Sequence, residues 1–330
     1  MQIIIKEYAY HEIGEKWNEF VLSQSLPVYS LGHNPCFPAI FKSIFKYDDI
    51  YCILYDKEKM IGVFQAIKEN NTLKSLPVLP TSGLCCNPSY NKEELYQSIC
   101  KHFNTAYEIR DFVKFSNFTF DTKVTCYLPL KASVDDQMQF FKSKLRSQIK
   151  KGYTNGLQIK SGGIELLPEF YDVYIRNMHR LGVPHPSINY FKSFIENYQN
   201  GESRLFIIYH DSVVVGGSIV FTYGKLAELF WASTSRKYNH LSPNMVLYWE
   251  IIKFSIEKKM EVLSFGRSNK ESSSLKFKEQ WGVSTYPLYF NYSSEQSNLR
   301  SFGLINKIWK LIPFPIVKIV GPIIRSKVTS

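Results

Sequence analysis

The 330-residue sequence lacks the signatures of several enzyme classes and of a membrane-spanning protein. It contains no G-x-G-x-x-G, G-x-x-x-x-G-K-[ST], H-E-x-x-H or G-x-S-x-G motif. These absences argue against nicotinamide-dependent hydride transfer, P-loop phosphoryl transfer, zincin hydrolysis and α/β-hydrolase chemistry. No apolar run reaches the ~20 residues that cross a bilayer. The N-terminal residues show no apolar core of a secretory signal, so we expect a cytoplasmic protein.

Cysteine is sparse, and the spacing typical of metal ligands is missing. The six cysteines all lie at or before Cys126, and none of them forms a C-x-x-C pair. The seven histidines do not cluster at metal-ligand spacing either. We therefore expect free thiols buried as small hydrophobic side chains, and no metal site.

Basic residues are abundant and unevenly distributed. The chain has 40 Lys and Arg against 29 Asp and Glu, a net charge of +11. Residues 1–150 carry 18 basic and 16 acidic side chains, whereas residues 151–330 carry 22 and 13. Two segments, residues 141–160 and the tail after Glu295, contain no acid at all. This pattern suits a polyanionic ligand such as nucleic acid, a lipid surface or substrate phosphates, with an ordinary solvated surface as the alternative.

Two stretches show the alternating pattern of antiparallel strands joined by short polar turns. They comprise residues 50–55 and 60–68, and residues 204–209, 213–223 and 226–233. Both lie between segments of helical periodicity, predicted at residues 92–106, 134–153, 167–181 and 189–198, and from Pro243 onward. The repeated order predicts an α/β protein with a duplicated unit.

A basic loop, residues 234–241, leads from the last of these strands into the helix at Pro243. Ser242 is placed to cap this helix. Pro243 suits its first turn, because N–H groups there have no acceptor within the helix and proline lacks one. Free N–H groups and the helix dipole favour an anion there, and Arg236 and Lys237 add positive charge. The loop is therefore a candidate phosphate site, with an ordinary capped helix as the alternative.

Several short motifs lie in the second half of the chain: Trp231-Ala232-Ser233, Pro243-Asn244-Met245, Phe265-Gly266-Arg267-Ser268 and Phe277-Lys278-Glu279-Gln280-Trp281-Gly282, with further ones within 145–157 and 181–186. Together they resemble FemAB-like proteins, which are tandem GNAT-fold acyltransferases. The resemblance implies two GNAT-like domains, each a mixed, mostly antiparallel sheet flanked by helices. It divides the chain into an N-terminal domain at 1–132, a basic connecting helix at 133–156, a donor-binding domain at 157–295 and a basic apolar tail at 296–330.

The resemblance also implies roles for individual residues. GNAT units bind the pyrophosphate of acyl-CoA at the loop and helix start after the fourth strand. The family's Phe-Lys pair lies at the reaction centre, where a cation would steady the oxyanion formed when an amine attacks the acyl carbon. The residues assigned here are Arg236, Lys237, Ser242 and Asn244 for the donor, Phe277 and Lys278 at the reaction centre, and Arg146, Arg267, Ser268, Lys276 and Tyr238 for the acceptor.

Three residues are candidates for the general base that takes the proton of the amine: Glu228, His185 and His179. Each has a plainer interpretation. Glu228 would be a surface strand residue, His185 a turn residue held between two prolines, and His179 a helix-surface residue. Lys278 would likewise be a solvated helix lysine.

These inferences favour one function over two others. The leading expectation is transfer of an acyl group from acyl-CoA to the amine of a nucleotide-linked, dTDP-linked deoxyamino sugar for surface polysaccharide. No heptad run is long enough for the coiled-coil arm of many tRNA-dependent Fem ligases. A Fem-type ligase that uses aminoacyl-tRNA to extend peptidoglycan peptides is the first alternative, and a non-catalytic nucleic-acid-binding protein is the second. No stable nucleic-acid partner is expected under the leading hypothesis.

The tail, residues 302–328, mixes apolar residues with lysines. Its three prolines are expected to break any long amphipathic helix, so that the tail packs against the second domain. Weak contact with an anionic membrane surface is the alternative.

Overall fold

The computed structural model describes residues 2–296 and 303–328. Its strands are β1 (Ile3–Glu7), β2 (Asp48–Asp56), β3 (Lys59–Glu69), β4 (Thr72–Lys74), β5 (Leu84–Cys86), β6 (Ala106–Asp111), β7 (Phe118–Pro129), β8 (Gln158–Gly162), β9 (Ser203–His210), β10 (Val213–Tyr223), β11 (Leu226–Thr234), β12 (Val262–Asn269) and β13 (Ser284–Tyr292). Its helices are α1 (Tyr10–Leu22), α2 (Cys36–Phe45), α3 (Lys92–Phe103), α4 (Val134–Phe140), α5 (Ser143–Thr154), α6 (Leu167–Leu181), α7 (Ile188–Asn197), α8 (Pro243–Glu257), α9 (Ser273–Glu279), α10 (Gly303–Leu311) and α11 (Phe314–Val328).

The strands of both halves join into one mixed sheet. Its order is β1-β2-β3-β4-β6-β13-β7-β12-β11-β10-β9-β8, with β5 paired to β3. Strand β13 from the second half lies between β6 and β7 of the first, and β7 also pairs with β12. Most pairs are antiparallel, and β4–β6 and β11–β12 are parallel. The predicted mixed, mostly antiparallel sheet flanked by helices is therefore confirmed, whereas the division of the chain into four segments stays a prediction.

Helices cover both faces of the sheet because side chains alternate along each strand. Along β10, Ile219 and Phe221 belong to the apolar cluster that contains α6 and α7, while Val220 packs with α5 and α8. Helices from the first half share the former cluster. Phe37 on α2, for example, lies with its ring centroid 6.2 Å from that of Phe194 on α7. The two halves thus have a common core.

The helix predicted over residues 134–153 is two helices. Ser133 caps α4 as expected, with its hydroxyl accepting a hydrogen bond from the Asp136 N–H at 3.1 Å. The chain then turns at Phe141, which has an extended backbone and ends α4. Its ring is buried against Trp249 and Trp281. Packing of this one aromatic side chain overrides the continuous helical pattern.

Helix α8 begins at Pro243 as predicted, but Ser242 does not cap it. The Ser242 backbone is left-handed, with φ 65°, and its side chain makes no capping hydrogen bond. Instead the preceding residues 236–241 form a tight 3-10 turn that delivers the chain into the helix. The helix start is therefore shaped by the turn and Pro243 rather than by a serine side chain.

The C-terminal residues form a helix pair on α6, where residues 303–311 and 314–328 contact it. The predicted packing on the second half is confirmed: Trp309 and Val317 are buried, and the Phe314 ring lies 5.8 Å from that of His179. The expected interruption of the helix occurs at Ile312-Pro313, between α10 and α11, whereas α11 continues through Pro322. Arg300 of the predicted basic tail lies outside the described residues. Within residues 2–296 and 303–328, no helix has the length and apolar character to cross a membrane.

Candidate functional site

The sheet opens where the parallel strands β11 and β12 separate. Their pairing covers three residues on each strand and ends with Glu228 opposite Ser264. Beyond that point β11 stays paired with β10, while β12 follows β7. The β12–β7 register shifts between Ser264 and Arg267, and Gly266 adopts φ 67°. A glycine accepts this left-handed conformation without strain, so the irregularity turns β12 away and leaves a gap beside Glu228.

Glu228 is a buried carboxyl at this gap. Its side chain is 2% exposed, and its Oε2 atom has no hydrogen-bond partner among the described residues. Burial raises the pKa of Glu228 to about 7, although a hydrogen bond from Ser264 and the charges of Lys278 and Arg267 favour the ionised form. A carboxyl with this pKa can accept and return a proton near neutral pH. The interpretation of Glu228 as a surface strand residue is wrong.

Lys278 reaches the same gap from α9. Its ammonium group donates hydrogen bonds to the backbone oxygens of Arg267 at 3.0 Å and of Gly266 at 3.3 Å. The side chain is only 6% exposed, and burial lowers the pKa of Lys278 to about 8. It is therefore not a solvated lysine. The preceding Phe277 packs edge-on against Tyr248, with ring centroids 5.0 Å apart, and so fixes α9 on the core.

Two arginines bring positive charge to the interface between the halves. Arg110 on β6 donates hydrogen bonds to the backbone oxygens of Ser75 and Leu76, but its Nε atom has no partner among the described residues. Burial, followed by the charge of Arg267, lowers the pKa of Arg110 to about 9. Within the described part of the chain neither guanidinium forms a salt bridge, so an anionic ligand would relieve their mutual repulsion.

A cavity of about 670 Å³ lies between the two halves and has both arginines in its wall. Its size lies within the range of small-molecule sites. Aromatic side chains from the second half form another part of the wall, and α11 closes one side. The wall includes Arg110, Arg267, Tyr190, Trp231, Pro322 and Arg325. Of the five residues predicted for the acceptor, Arg267 lies in this wall.

The structure brings together only some of the predicted acceptor residues. Arg267 lines the cavity, and Ser268 is buried beside Ser274, with hydroxyl oxygens 3.3 Å apart. Lys276 is exposed on α9. Arg146 is exposed on α5, where its guanidinium donates to the backbone oxygens of Gln139 and Phe141 at 3.3 and 2.8 Å. Arg146 therefore secures the α4–α5 turn and does not reach the cavity.

The predicted donor-binding residues lie at the start of α8. Arg236 and Asn244 line a small pocket of about 270 Å³, and Arg236 and Tyr238 line an adjoining one of about 450 Å³. Asn244 is fixed by a hydrogen bond from the Thr234 hydroxyl at 3.2 Å. Lys237 is exposed, with its ammonium 5.4 Å from the centre of the Tyr238 ring. The N-terminus of a 15-residue helix beside these cations is suited to an anionic group.

His185 lies apart from the gap between β11 and β12. It is fully buried, with Nδ1 3.0 Å from the Pro186 carbonyl oxygen and 3.2 Å from the Tyr171 hydroxyl. Burial lowers the pKa of His185. Its Nε2 atom faces Gly321 on α11 so closely that an added Cβ there would lie 2.6 Å away. These contacts indicate a packing role beneath α11.

Sequence reasoning missed Arg110 and the cavity-lining aromatic Tyr190. An arginine within a strand, between Ile109 and Asp111, was the available signal. Its relation to Arg267 depends on the placement of β13 between β6 and β7, which no local pattern shows. Among the described residues, no group of histidine, cysteine and acidic side chains could hold a metal ion.

Comparisons with known proteins agree with this architecture. Residues 139–279 match the family described as an acetyltransferase (GNAT) domain. Over 137 residues the chain is 23% identical to the UDP-N-acetylmuramoylpentapeptide-lysine N(6)-alanyltransferase of Weissella viridescens, which is 41% of this chain and 40% of that protein. The chain thus spans less than half the length of this relative.

Two solved structures show the same fold. The crystal structure of FemX superposes with a TM-score of 0.67 and 14% identity, covering 93% of this chain and all of that one. A tandem GNAT protein from the clavulanic acid biosynthesis pathway gives a TM-score of 0.55 and 8% identity over 90% of this chain and all of its own. At these identities the likeness establishes the fold.

The comparisons decide between the functions expected from the sequence. The expectation of an acyltransferase is confirmed at the level of the domain. The expectation of a nucleotide-sugar N-acyltransferase is wrong, because the curated relative named above is an alanyltransferase acting on a muramoylpentapeptide lysine. Residues 139–279 therefore match a GNAT acetyltransferase domain, and the chain has the fold seen in FemX.

Proposed function

We propose that the protein transfers an aminoacyl group from aminoacyl-tRNA to a side-chain amine of a peptidoglycan precursor peptide. The observation that carries this proposal is the buried group of Glu228, Lys278 and Arg267 at the separation of β11 and β12. The name of the curated relative supplies the acceptor class. The donor class follows from the resemblance to Fem ligases, and it replaces the acyl-CoA expected from the GNAT unit alone.

The reaction needs one proton to move from nitrogen to oxygen. The acceptor amine attacks the ester carbonyl carbon, and a C–N bond forms while the carbonyl oxygen becomes an oxyanion. Glu228, as a carboxylate, accepts the proton of the attacking nitrogen. The C–O bond to the tRNA ribose then breaks, and Glu228 returns the proton to the leaving oxygen. The products are an amide and uncharged tRNA, so the carboxylate is regenerated.

Lys278 would stabilise the oxyanion. Two of its three N–H donors go to the backbone oxygens of Gly266 and Arg267, which leaves one for a ligand. A preorganised cation in a buried site stabilises developing charge more strongly than it would in water. With its pKa lowered to about 8, Lys278 is still mostly protonated at neutral pH.

The remaining cations suit the two anionic substrates. Arg110 and Arg267 face the cavity, where they would bind the phosphates or carboxylates of the precursor. The exposed lysines of α5 and its start form a basic surface outside the cavity that suits the tRNA backbone. They are Lys142, Lys144, Lys150 and Lys151.

A donor-exchange assay tests this function. The protein is incubated with a muramoyl-pentapeptide that has a free lysine amine, and with the same aminoacyl group offered either on tRNA or on coenzyme A. Mass spectrometry should show a gain of one aminoacyl group from the tRNA donor, abolished by prior RNase treatment or by acetylation of the lysine amine. Transfer from the thioester but not from tRNA would refute the proposed donor, and transfer to the acetylated peptide would refute the proposed acceptor.

A further inference from the structure

The C-terminal helix pair exposes the most prominent apolar surface of the described residues. Among residues 2–296 and 306–326, the five most exposed large hydrophobic side chains all belong to α10 or α11. Their exposed fractions run from 50% to 83%, and they are Ile308, Leu311, Ile316, Ile319 and Ile323. Single exposed aliphatic side chains are ordinary, but a contiguous group of this kind marks an interaction surface. We call these five residues the apolar face.

The apolar face is distinct from the side of the helix pair that packs on the protein. Trp309, Val317 and Gly321 are buried against α6 and its surroundings. On α11, Ile316, Ile319 and Ile323 follow a spacing of three and four residues, which places them along one stripe of the helix. The pair is therefore anchored to the fold by one side and presents isoleucines on another.

Positive charge borders the apolar face. Lys307, Lys310 and Lys318 are exposed on the same two helices. No aspartate or glutamate follows Glu295 in the sequence, so nothing on these helices offsets that charge. Apolar side chains bordered by lysines match an anionic bilayer, whose acyl chains accept the isoleucines while its headgroups accept the lysines.

We propose that the α10–α11 pair docks the protein on an anionic lipid surface through the apolar face. The inference goes beyond the transfer reaction and does not depend on which acyl group is transferred. It has a geometric consequence, since Pro322, Arg325 and Ser326 of α11 line the cavity between the halves. Because these residues share α11 with three isoleucines of the apolar face, docking through that face would hold the cavity close to the lipid headgroups.

Vesicle flotation with the full-length protein tests the proposal. The probes are vesicles of phosphatidylcholine alone and vesicles that also contain about 30% phosphatidylglycerol. The apolar variant is Ile316→Ser with Ile319→Ser and Ile323→Ser, and the charge variant is Lys307→Ala with Lys310→Ala and Lys318→Ala. The control is Leu22→Ser with Phe118→Ser, which removes two exposed apolar side chains far along the sequence from the helix pair.

The wild type and the control should float with the anionic vesicles. The apolar variant should bind at least tenfold more weakly. On anionic vesicles at low salt, the affinity of the charge variant should fall about fivefold for each lysine removed, on the order of a hundredfold in all. Its affinity for neutral vesicles should not change. A thermal melt checks that each variant is folded. If the triple apolar variant is destabilised, the single variant Ile319→Ser, at a position that is 70% exposed, replaces it in the flotation assay.

Three results would overturn the proposal. One is a wild type that does not float with anionic vesicles, and another is an apolar variant that binds them as the wild type does. The third is light scattering that shows a dimer of the wild type and a monomer of the apolar variant, which would assign the apolar face to a second copy of the chain. Because flotation does not measure transfer, it fails or succeeds separately from the proposed reaction.

Discussion

Replacing Glu228 with glutamine should stabilise the protein at alkaline pH while it abolishes transfer. Burial raises the pKa of this carboxyl from 4.5 to about 7, so the folded protein resists its ionisation. One pKa unit corresponds to about 1.4 kcal/mol, which makes the ionised carboxylate cost the folded state about 3 kcal/mol. This cost is absent below pH 4.5, grows as pH rises towards 7, and is fully present above it. Glutamine reproduces the neutral form at every pH.

The assay is thermal unfolding at pH 5 and pH 8, together with the transfer rate. At pH 8 we expect Glu228→Gln to raise the free energy of unfolding by about 3 kcal/mol, or the melting temperature by about 4 °C, and at pH 5 by less than about 1 kcal/mol. The transfer rate should fall by about 10²- to 10⁴-fold, as expected for loss of a general base. Glu58→Gln, at an exposed turn, is the control and should change neither property. A variant less stable than the wild type at pH 8 would show that the ionised carboxylate stabilises the fold, and would refute the reasoning.

Three further predictions concern the cations. Lys278→Ala should lower kcat and kcat/KM together by about 10²- to 10³-fold in steady-state assays, because an oxyanion partner acts in the transition state, whereas a rise in KM alone would assign it to substrate binding. Arg267→Ala should raise the KM for the precursor about tenfold, while Arg146→Ala, whose guanidinium holds a turn, should leave that KM unchanged; equal effects would contradict the placement of the acceptor. Arg236→Ala with Asn244→Ala should raise the KM for the donor and spare kcat, and an unchanged donor KM would remove the α8 start from the donor site.

Local patterns in the sequence were sufficient for the strand meanders and for the start of α8. The alternation of apolar residues located β2, β3, β9, β10 and β11 within a few residues, because that alternation reflects burial on two faces of a strand. The failures have non-local causes. The break at Phe141 depends on two tryptophans more than 100 residues away, and the continuation of α11 through Pro322 depends on packing against α6.

In the candidate site, too, some residues were predicted from local motifs and others depend on distant contacts. Lys278 and Arg267 were identified through short motifs, since the residues around them resemble a known family. The burial of Glu228, and the pKa that makes it a candidate base, arise from the strand pairing around it and have no signature in the neighbouring sequence. Arg110 lies more than 150 residues before Arg267, and the two share a cavity wall because the sheet is continuous across both halves. Local periodicity in the sequence does not predict contacts between residues this far apart.

The pH dependence of single-turnover transfer from aminoacyl-tRNA tests the central claim most directly. If Glu228 accepts the proton and Lys278 steadies the oxyanion, the rate should rise with ionisation of a group of pKa about 7 and fall with deprotonation of a group of pKa about 8. In Glu228→Gln the acidic limb should disappear, and in Lys278→Ala the alkaline limb should disappear. A wild-type profile that is flat between pH 5 and pH 9, or limbs that persist unchanged in both variants, would contradict the assignment of the reaction to this pair.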